Sequence, residues 1–508
     1  MLRLMLRTLL VLVLSLFFWI LPATASSISV WVANPSVPIG SLGASFQLTY
    51  NWFATAPSTD PYTVFVHFID SNGKIAFTDD HVPPIPTTNW NGNISYTRSV
   101  YVPSAAIARP YVIAVGLKTN TGSRVSLEQG AGVIGLTSSR YQVGTLMVNP
   151  DANHLIPAGL SSVASSAIKC DGVTDDTAAI QGALNALVSG QALQLPAGVC
   201  ITSKVLNLYG KVNVAVYGAG NQATIVQASD YLNSAFIVTA SNQVTLQDFQ
   251  IYSPNTLSRQ GAANANGFYV QRSSNVVLQR LIANNVAAAG FLFYVVQNSS
   301  VVYSEVLHSW SDAFHATGAS SGITFQGNHA YQSGDDCYAS IGYDNSGVNS
   351  NMNYINNSCV SGAASGLSFE GTHGATGTGN ILELTGVAGI RVDSQVGYNT
   401  GAVTNVNASG NYLVRVRTNV AVDHAAIMAY TNLHPISGLT IGSNLIENPN
   451  TSTGIRIFGS DALPVSGSVS DNSIVDRYSL VTACLLFQGG TANVSRSGNM
   501  LNGVLCSP

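Results

Sequence analysis

Three carboxylates lie close together in a sequence that is otherwise poor in charge. Asp312 precedes one apolar segment, and the adjacent Asp335 and Asp336 precede the next. If successive segments stack, the three side chains meet on one face, where repulsion raises at least one pKa while the others stay low. A protonated acid beside ionised carboxylates can cleave a glycosidic bond. The alternative is that each aspartate only caps a turn, as aspartate often does.

The segments behind these aspartates belong to a repeat of about 22 to 30 residues. Each copy contains a small residue followed by an apolar, a variable and a second apolar residue. The copies are 267–270, 290–293, 313–316, 336–339, 366–369, 389–392 and 454–457. A period of this size, with Asn- and Gly-rich turns and no second helix, predicts the stacked coils of a parallel β-helix, spaced about 4.8 Å apart.

Side-chain alternation along a strand predicts which residues of each unit face outward, namely the first, third and fifth. A bend at Gly334 would let both Asp335 and Asp336 face outward as well. The third and fifth positions supply polar groups to the same groove, and nearby aromatic rings offer platforms for sugars. The predicted substrate-binding residues are His315, Tyr338, Glu370, Arg391, Asp393, Tyr269, Tyr294 and Trp310.

The N-terminal part of the chain follows a different pattern. Residues 27–148 alternate apolar and polar side chains in short segments separated by turns, which predicts a β-sandwich of six or more strands. The predicted strands are 28–33, 45–52, 63–69, 94–102, 111–117 and 141–148. Residues 149–162, rich in Pro, Ala, Ser and Asn, are the candidate linker to a catalytic β-helix domain at 163–508.

One amphipathic helix is expected where the β-helix begins. Thr174 to Asp176 offer N-cap chemistry, and an apolar stripe at helical spacing follows. The stripe consists of Ala179, Ile180, Ala183, Leu184 and Leu187. A helix at this place would cover the open apolar end of the first coil.

The N-terminal residues and the cysteines indicate that the protein is exported. The apolar run 9–21 follows Arg3 and Arg7 and precedes Ala23-Thr24-Ala25, so residues 1–25 read as a signal peptide, the alternative being an uncleaved anchor. We therefore expect a secreted or periplasmic protein. The six cysteines space as three local pairs, 170–200, 337–359 and 484–506, although the sequence alone leaves other connectivities open.

Composition narrows the classes of partner. Only 9% of the 508 residues are charged and the net charge is −4, which disfavours nucleic acid. The mean hydropathy of +0.24 is high, but the apolar residues form short runs separated by 47 glycines and many other turn residues. This distribution is typical of all-β structure rather than of a membrane protein. No C-x-x-C or H-x-x-x-H spacing occurs among the cysteines, so we expect no metal and no cofactor. The expected partner is a polysaccharide or oligosaccharide, with the oligomeric state left open.

Two groups of motifs resemble a known family. Residues 171–180 resemble the opening motif of pectate-lyase-superfamily β-helices. Two further segments resemble motifs of polygalacturonase-type hydrolases, glycoside hydrolase family 28. The Asn-Thr-Asp-Gly motif of that family resembles Ser311-Asp312-Ala313-Phe314, and its Gly-Asp-Asp-Cys motif resembles Gly334-Asp335-Asp336-Cys337. Cys337 with Cys359 also resembles a local disulfide of that family, and Gly389-Ile390-Arg391 resembles its Arg-Ile-Lys segment. The sandwich-first domain order is similar to the dextranase and isopullulanase family.

The resemblance implies both a fold and a mechanism. The fold is all-β, a right-handed parallel β-helix preceded by an N-terminal β-sandwich. The implied activity is hydrolysis with inversion, in which Asp335 is the general acid and Asp312 and Asp336 hold the nucleophilic water.

The sequence departs from the polygalacturonase pattern because it lacks a cationic residue of the family. Asp393 stands where the family has the lysine of Arg-Ile-Lys, and no lysine follows Lys211. Ala364-Ser365-Gly366 replaces Gly-His-Gly, and His373 offers a substitute histidine or only a turn residue. A site with one arginine beside acids repels a uronate, so the expected substrate is a neutral or sparsely charged glycan.

Two other functions are compatible with the same pattern. A polysaccharide lyase or epimerase could use the same scaffold, but it needs a strong base and a cation to neutralise a uronate, which the shortage of lysine disfavours. A non-catalytic carbohydrate-binding β-helix would use the aromatic platforms without three grouped acids. An unsaturated product would favour the lyase, and binding without any product would favour the binding module.

Overall fold

The computed structural model describes residues 28–31, 39–103, 105–130, 132–149 and 156–506. The regular structure in these ranges is nearly all β, with an α-helix at Thr177–Ala186 and short 3-10 turns at Thr87–Asn89, Tyr231–Asn233, Ala263–Ala265 and Val396–Tyr398. No helix in the described ranges has the length and apolar character needed to cross a membrane. The predicted signal peptide lies outside the described residues.

Two sheets face each other in the N-terminal part. One contains Gly92–Tyr101, Ser45–Ala54, Ile28–Trp31 and Glu128–Gln129, in that order. The other contains Ile134–Leu136, Arg140–Asn149, Pro110–Lys118, Thr63–Ile69 and Ile75–Thr78, with Ile39–Ser41 and Arg124–Val125 paired at its flanks. Trp52 of the first sheet and Phe68 of the second share one buried core. All six predicted strands are present, and five shorter strands were not predicted.

The rest of the chain winds through three long sheets, here named sheets 1, 2 and 3, in which successive coils pair in parallel. Within the described ranges, sheet 1 contains Ser161–Ala164, Gln191–Gln194, Val212–Tyr217, Asn242–Gln247, Ser274–Gln279, Gln297–Val302, Ser321–Gln326, Asn349–Ile355, Thr372–Thr378, Val403–Ser409, Ile436–Gly442, Val465–Ser470 and Asn493–Ser497.

Sheets 2 and 3 complete each coil. Sheet 2 contains Asp171–Asp175, Gly198–Thr202, Thr224–Ala228, Gln250–Tyr252, Ile282–Val286, Glu305–Ser309, His329–Ser333, Ser358–Val360, Ile381–Glu383, Tyr412–Val414, Leu445–Glu447, Ser473–Val475, Met500–Leu501 and Val504–Leu505, of which the last pairs antiparallel. Sheet 3 contains Leu206–Tyr209, Phe236–Thr239, Phe268–Gln271, Phe291–Tyr294, Phe314–Thr317, Tyr338–Ile341, Leu367–Glu370, Ile390–Ser394, Ile427–Thr431, Thr453–Phe458 and Ala483–Gln488. The predicted parallel β-helix is confirmed.

A stack of aromatic rings runs along the inner side of sheet 3. Phe268, Phe291, Phe314 and Tyr338 stack with successive ring centroids 4.9 Å apart, which is the rise from coil to coil. Tyr338 pairs with Phe314 and is fully buried, while Ala339 pairs with His315. The prediction that Tyr338 faces the groove is therefore wrong. The turn before this strand is one residue longer than the repeat alignment assumed, and a one-residue shift reverses the face of a side chain.

A ladder of buried asparagines fixes the turns between sheets 1 and 2. The amide of Asn357 and its Nδ2 both donate to Oδ1 of Asn380 in the next coil, at 2.9 and 3.1 Å. The same pattern recurs at Asn328, Asn380, Asn411, Asn444 and Asn472 and ends at Asn499. Because these bonds satisfy buried polar groups in register, they hold each coil directly over its neighbour.

The predicted helix closes the first coil. Ile180, Leu184 and Leu187 are buried in the β-helix core. Asp176 is the N-cap residue, but its carboxylate accepts hydrogen bonds from the backbone amides of Lys169 and Cys170 instead of capping the helix. The helix therefore covers the apolar end of the coils, as expected from its stripe.

Three disulfides lie in the β-helix, and the sandwich packs on sheet 2. The bonds join Cys170 to Cys200, Cys337 to Cys359 and Cys484 to Cys506, which confirms the predicted local pairs. Apolar side chains of the sandwich share a cluster with sheet 2; its buried members are Ile69, Val112, Ala114, Ile134, Leu136, Ile381, Tyr412 and Val414. The Glu447 carboxylate accepts from the Thr137 amide at 2.7 Å and from the Tyr412 hydroxyl at 2.6 Å.

Candidate active site

The three aspartates lie in consecutive turns between sheet 2 and sheet 3. Asp312 precedes Phe314–Thr317, and Asp335 and Asp336 precede Tyr338–Ile341. Strand alternation does not apply in these turns, so neither Asp335 nor Asp336 enters the apolar core. A Cβ on Gly334 would lie 2.5 Å from the backbone of Trp310, which explains why a glycine occupies the predicted bend.

The carboxylates form one compact group. One oxygen of each of Asp312, Asp335 and Asp336 lies within 4.8 Å of the others. The Asp336 amide donates to Oδ1 of Asp312 at 3.2 Å, and Asp336 Oδ1 accepts from the Ser365 amide at 2.6 Å. Asp312 and Asp336 are buried, whereas 34% of the Asp335 side chain is exposed. Asp335 is therefore the carboxylate of the group that a ligand in the groove reaches most directly.

This environment raises the pKa of two of the acids. Burial raises the pKa of Asp336 to about 7, with the charges of Asp312 and Asp335 adding to the effect and Arg391 opposing it. Burial and the charge of Asp312 also raise the pKa of Asp335, against the cations Arg259 and Arg391. The group can therefore hold a proton near neutral pH, as general acid catalysis requires.

His315 lies beside Asp312 on the outward face of sheet 3. Its Nδ1 is 2.8 Å from Asp312 Oδ2. Burial lowers the pKa of His315, but the charge and hydrogen bond of Asp312 outweigh it and the net shift is upward. A protonated His315 supplies positive charge next to Asp312, in the position predicted from the repeat.

Arg391 is held by acids of its own coil and the preceding one. Its guanidinium contacts the carboxylate of Glu370, and its Nε lies 3.2 Å from Asp393 Oδ2. Its Nη2 lies 3.7 Å from Asp336 Oδ2, so it also links this network to the three aspartates. Gln395 Nε2 donates to Glu370 at 3.1 Å and lies 3.3 Å from both oxygens of Asp393.

Glu370 and Asp393 are therefore not groove residues. The two residues pair in register, as expected, but both side chains are buried. The prediction that they face the groove is wrong, because both are buried and Arg391 and Gln395 contact their oxygens. Burial and the charge of Glu370 raise the pKa of Asp393 well above its usual range, although Arg391 opposes the shift.

Two of the predicted aromatic residues, Tyr269 and Tyr294, lie along the face next to His315. Tyr269 and Tyr294 belong to the two coils before it and pack in one small cluster around the same outward side. Tyr269 is nearly buried, whereas Tyr294 and Trp310 are half-buried. Trp310 directly precedes the turn that holds Asp312, and its Nε1 donates to Asn285 Oδ1 at 3.4 Å.

Arg259 and Gln395 are site residues that sequence reasoning missed. Arg259 Nη2 donates to Asp335 Oδ2 at 2.7 Å, although 76 residues separate them. One signal was available: the connection from Gln250–Tyr252 to Phe268–Gln271 is much longer than the corresponding connections from Ile282–Val286 and Glu305–Ser309. His373 is no substitute histidine here, because it lies in the sheet 1 strand Thr372–Thr378.

Two groups of potential metal ligands occur among the described residues. The three aspartates are close enough to share a cation. Their charge is already met by the guanidinium groups of Arg259 and Arg391, at 2.7 and 3.7 Å. A second group, Cys170, Asp176 and Cys200, has both sulfurs in a disulfide, so thiolate ligands are not available there.

Comparison with known proteins identifies relatives of the β-helix. Residues 160–413 match the model of a family described as rhamnogalacturonase A/epimerase, pectate lyase-like. No curated protein matches the sequence.

Solved structures of GH87 alpha-1,3-glucanases are similar over the whole chain. The catalytic unit of the thermostable enzyme from Streptomyces thermodiastaticus strain HF3-3 has a TM-score of 0.55 at 15% identity, covering 95% of this chain and 97% of that one. A GH87 alpha-1,3-glucanase catalytic domain in complex with tetrasaccharides has a TM-score of 0.52 at 14% identity, covering 95% and 94%. At these identities the likeness establishes the fold, and membership of glycoside hydrolase family 28 stays a prediction. By its family match, the chain belongs to the rhamnogalacturonase A/epimerase family of pectate-lyase-like β-helix proteins.

Proposed function

We propose that this protein is a secreted glycoside hydrolase that cleaves a neutral or sparsely charged glycan with inversion. The observation that carries the proposal is the group of Asp312, Asp335 and Asp336, in which one acid faces the groove and two are buried against it. The family match and the similar fold of the alpha-1,3-glucanases support a carbohydrate substrate.

The roles proposed for the three aspartates follow from how exposed each carboxyl is and from its contacts with neighbouring side chains. Asp335 gives its proton to the leaving oxygen because its carboxyl is the exposed one. Asp312 and Asp336 hold a water, which attacks the anomeric carbon and passes its proton to one of them as the glycosidic bond breaks. His315 and Arg391 flank this pair and stabilise its negative charge.

The charges around Arg391 support a substrate without many carboxylates. A uronate would need a free cation, but Arg391 is engaged by Glu370 and Asp393, and Arg259 is engaged by Asp335. No lysine follows Lys211 in the sequence. Sugar hydroxyls, which both donate and accept hydrogen bonds, suit a groove lined by carboxylates and aromatic rings.

A lyase or epimerase is the second candidate, since the matching family includes an epimerase by description. That chemistry removes a proton beside a uronate carboxyl, which a neutral glycan does not offer. The close spacing of the carboxylates also leaves a retaining hydrolase as a competitor, because inverting pairs are usually about 6.5–9.5 Å apart. A binding module that forms no product is the third candidate.

Product analysis on a panel of α- and β-linked polysaccharides tests the proposal. We expect saturated oligosaccharides from at least one neutral glycan, and slower release from polygalacturonate. Ultraviolet absorbance of an unsaturated sugar would indicate a lyase. Faster cleavage of polygalacturonate than of every neutral glycan would contradict the proposed substrate class, and bound glycan without product over days would contradict the proposed activity.

A further inference from the structure

The segment between Gln250–Tyr252 and Phe268–Gln271 brings a cation to the catalytic group. Arg259 Nη2 donates to Oδ2 of Asp335 at 2.7 Å and to Oγ of Ser311 at 3.1 Å. These two bonds hold a side chain of which 53% is exposed. The guanidinium therefore lies over the one carboxylate of the group that opens to the groove.

The segment on both sides of Arg259 is anchored to the next coil independently of the Arg259 side chain. Thr256 Oγ1 donates to the carbonyl of Asn285 at 2.5 Å, and the Gln260 amide donates to the carbonyl of Ala287 at 2.7 Å. The guanidinium can leave Asp335 by rotation about side-chain bonds, with the segment itself in place. An exposed ion pair of this kind costs little to break.

This ion pair opposes the chemistry proposed for Asp335. A general acid must carry a proton before it can transfer one, and a guanidinium at 2.7 Å favours the ionised carboxylate. Among the other charged groups around Asp335, Asp312 and Asp336 favour its protonated form. Arg391 disfavours that form, but it is held in place by its own acids. His315 faces Asp312 on the neighbouring strand. The phenol of Tyr343 lies within electrostatic range of Asp312 and Asp335, and that of Tyr398 lies within range of Arg259.

We propose that Arg259 is a positioning residue whose contact with Asp335 favours the ionised carboxylate in the empty groove, and that it leaves Asp335 when a glycan binds, so that Asp335 takes up from solvent water the proton it then delivers. The inference rests on the proposed function. A leaving-group oxygen must come within hydrogen-bond distance of Asp335, in the space that the guanidinium fills. Hydroxyl oxygens of the sugar accept hydrogen bonds, so they can replace Asp335 as partners of Arg259.

The kinetic test compares Arg259→Gln with Arg259→Lys, which keeps the charge. Each pH profile falls on its alkaline side as the general acid loses its proton. The profile of kcat reports the glycan complex and the profile of kcat/KM reports the free protein. In the parent, we expect the alkaline limb of kcat to have its midpoint at a higher pH than the alkaline limb of kcat/KM. Arg259→Gln should raise the limb of kcat/KM by roughly half a pH unit, as expected for an exposed ion pair, and leave the limb of kcat in place. Arg259→Lys should keep the separation. Equal movement of both limbs in Arg259→Gln would overturn the displacement of Arg259.

A spectroscopic test needs no hydrolysis. The infrared carboxyl band that disappears in Asp335→Asn identifies Asp335, and its titration midpoint can be followed in the full-length protein without glycan. We expect a higher midpoint in Arg259→Gln than in the parent and an unchanged midpoint in Arg259→Lys. An equal midpoint in Arg259→Gln and the parent would overturn the inference. Absence of hydrolysis with a raised midpoint would instead overturn the proposed function and leave the pairing intact.

Discussion

The backbone amide of Asp336 donates a 3.2 Å hydrogen bond to Oδ1 of Asp312, one coil below it. The bond ties the carboxylate of one turn to the backbone of the next and therefore sets the spacing of the three aspartates. Because the coils stack in register through Phe314 and Tyr338, the geometry of the site depends on the core beneath it.

The stereochemistry of the product tests the roles of Asp312 and Asp336. If they hold a water, the first product has the opposite anomeric configuration to the substrate. Proton NMR of the reaction within the first minutes, before mutarotation, measures this. Retention of configuration would show that one of the two acts as a nucleophile instead.

Arg391→Met should destabilise the protein strongly at pH 7. Removing a buried cation leaves Glu370, Asp393 and Asp336 without their counter-ion, which costs on the order of 3–5 kcal/mol of unfolding free energy. The loss should be smaller at pH 4, because burial raises the pKa of Asp336 to about 7 and that of Asp393 well above its usual range, so both are protonated there. Urea unfolding at the two pH values measures it, with Arg272→Met, at an exposed turn, as the matched control. Equal losses in both variants would contradict the role of the network.

Because Glu305 is buried, we expect the free energy of unfolding to fall as the pH rises from about 4.5 to 7. Burial raises the pKa of Glu305 from its ordinary value to about 7. The unfolded chain ionises this acid at lower pH than the folded protein, so the folded state binds more protons between about pH 4.5 and 7 and loses stability across that window. Glu305→Gln should remove this contribution and raise the unfolding free energy at pH 8 by roughly 1–3 kcal/mol. Glu128→Gln, at an exposed position, should change nothing; equal pH dependence in parent and Glu305→Gln would refute the argument.

Reduction of the disulfides should destabilise the β-helix more than the sandwich. All three bonds lie beyond residue 169, and each closes a loop of 22 or 30 residues, which is worth on the order of 3 kcal/mol. Fluorescence of Trp310 reports the β-helix, while Trp52 and Trp90 report the sandwich, so single-tryptophan variants separate the two melting curves. Equal shifts of both curves on adding reductant would contradict the expectation.

Periodicity was sufficient for the fold but not for every register. The alternation along Leu367–Glu370 and Ile390–Ser394 correctly paired Glu370 with Asp393. The same counting failed at Tyr338, because the turn that holds Asp335 and Asp336 contains one additional residue and inverts the assignment that follows. A repeat thus predicts strands well and turns of changing length poorly.

Long-range contacts explain what the sequence could not predict in the site. Gln395 folds over Glu370 and Asp393 and removes them from the groove, and no local pattern indicates that contact. Arg259 reaches Asp335 from a connection that precedes it by three coils. Clusters formed by neighbouring turns were predictable because the coil rise is constant, whereas side chains that cross several coils were not.

The most direct test of the account replaces the carboxyl of Asp335 with an amide of nearly the same shape. Asp335→Asn cannot donate the proton to the leaving oxygen, so we expect hydrolysis of the best neutral glycan to fall by roughly 10²–10⁴-fold, with the melting temperature and glycan binding nearly unchanged. Asp461→Asn, at an exposed turn far along the chain, is the matched control and should keep the parent activity. Activity of Asp335→Asn within a few-fold of the parent would contradict the assignment of Asp335 as general acid.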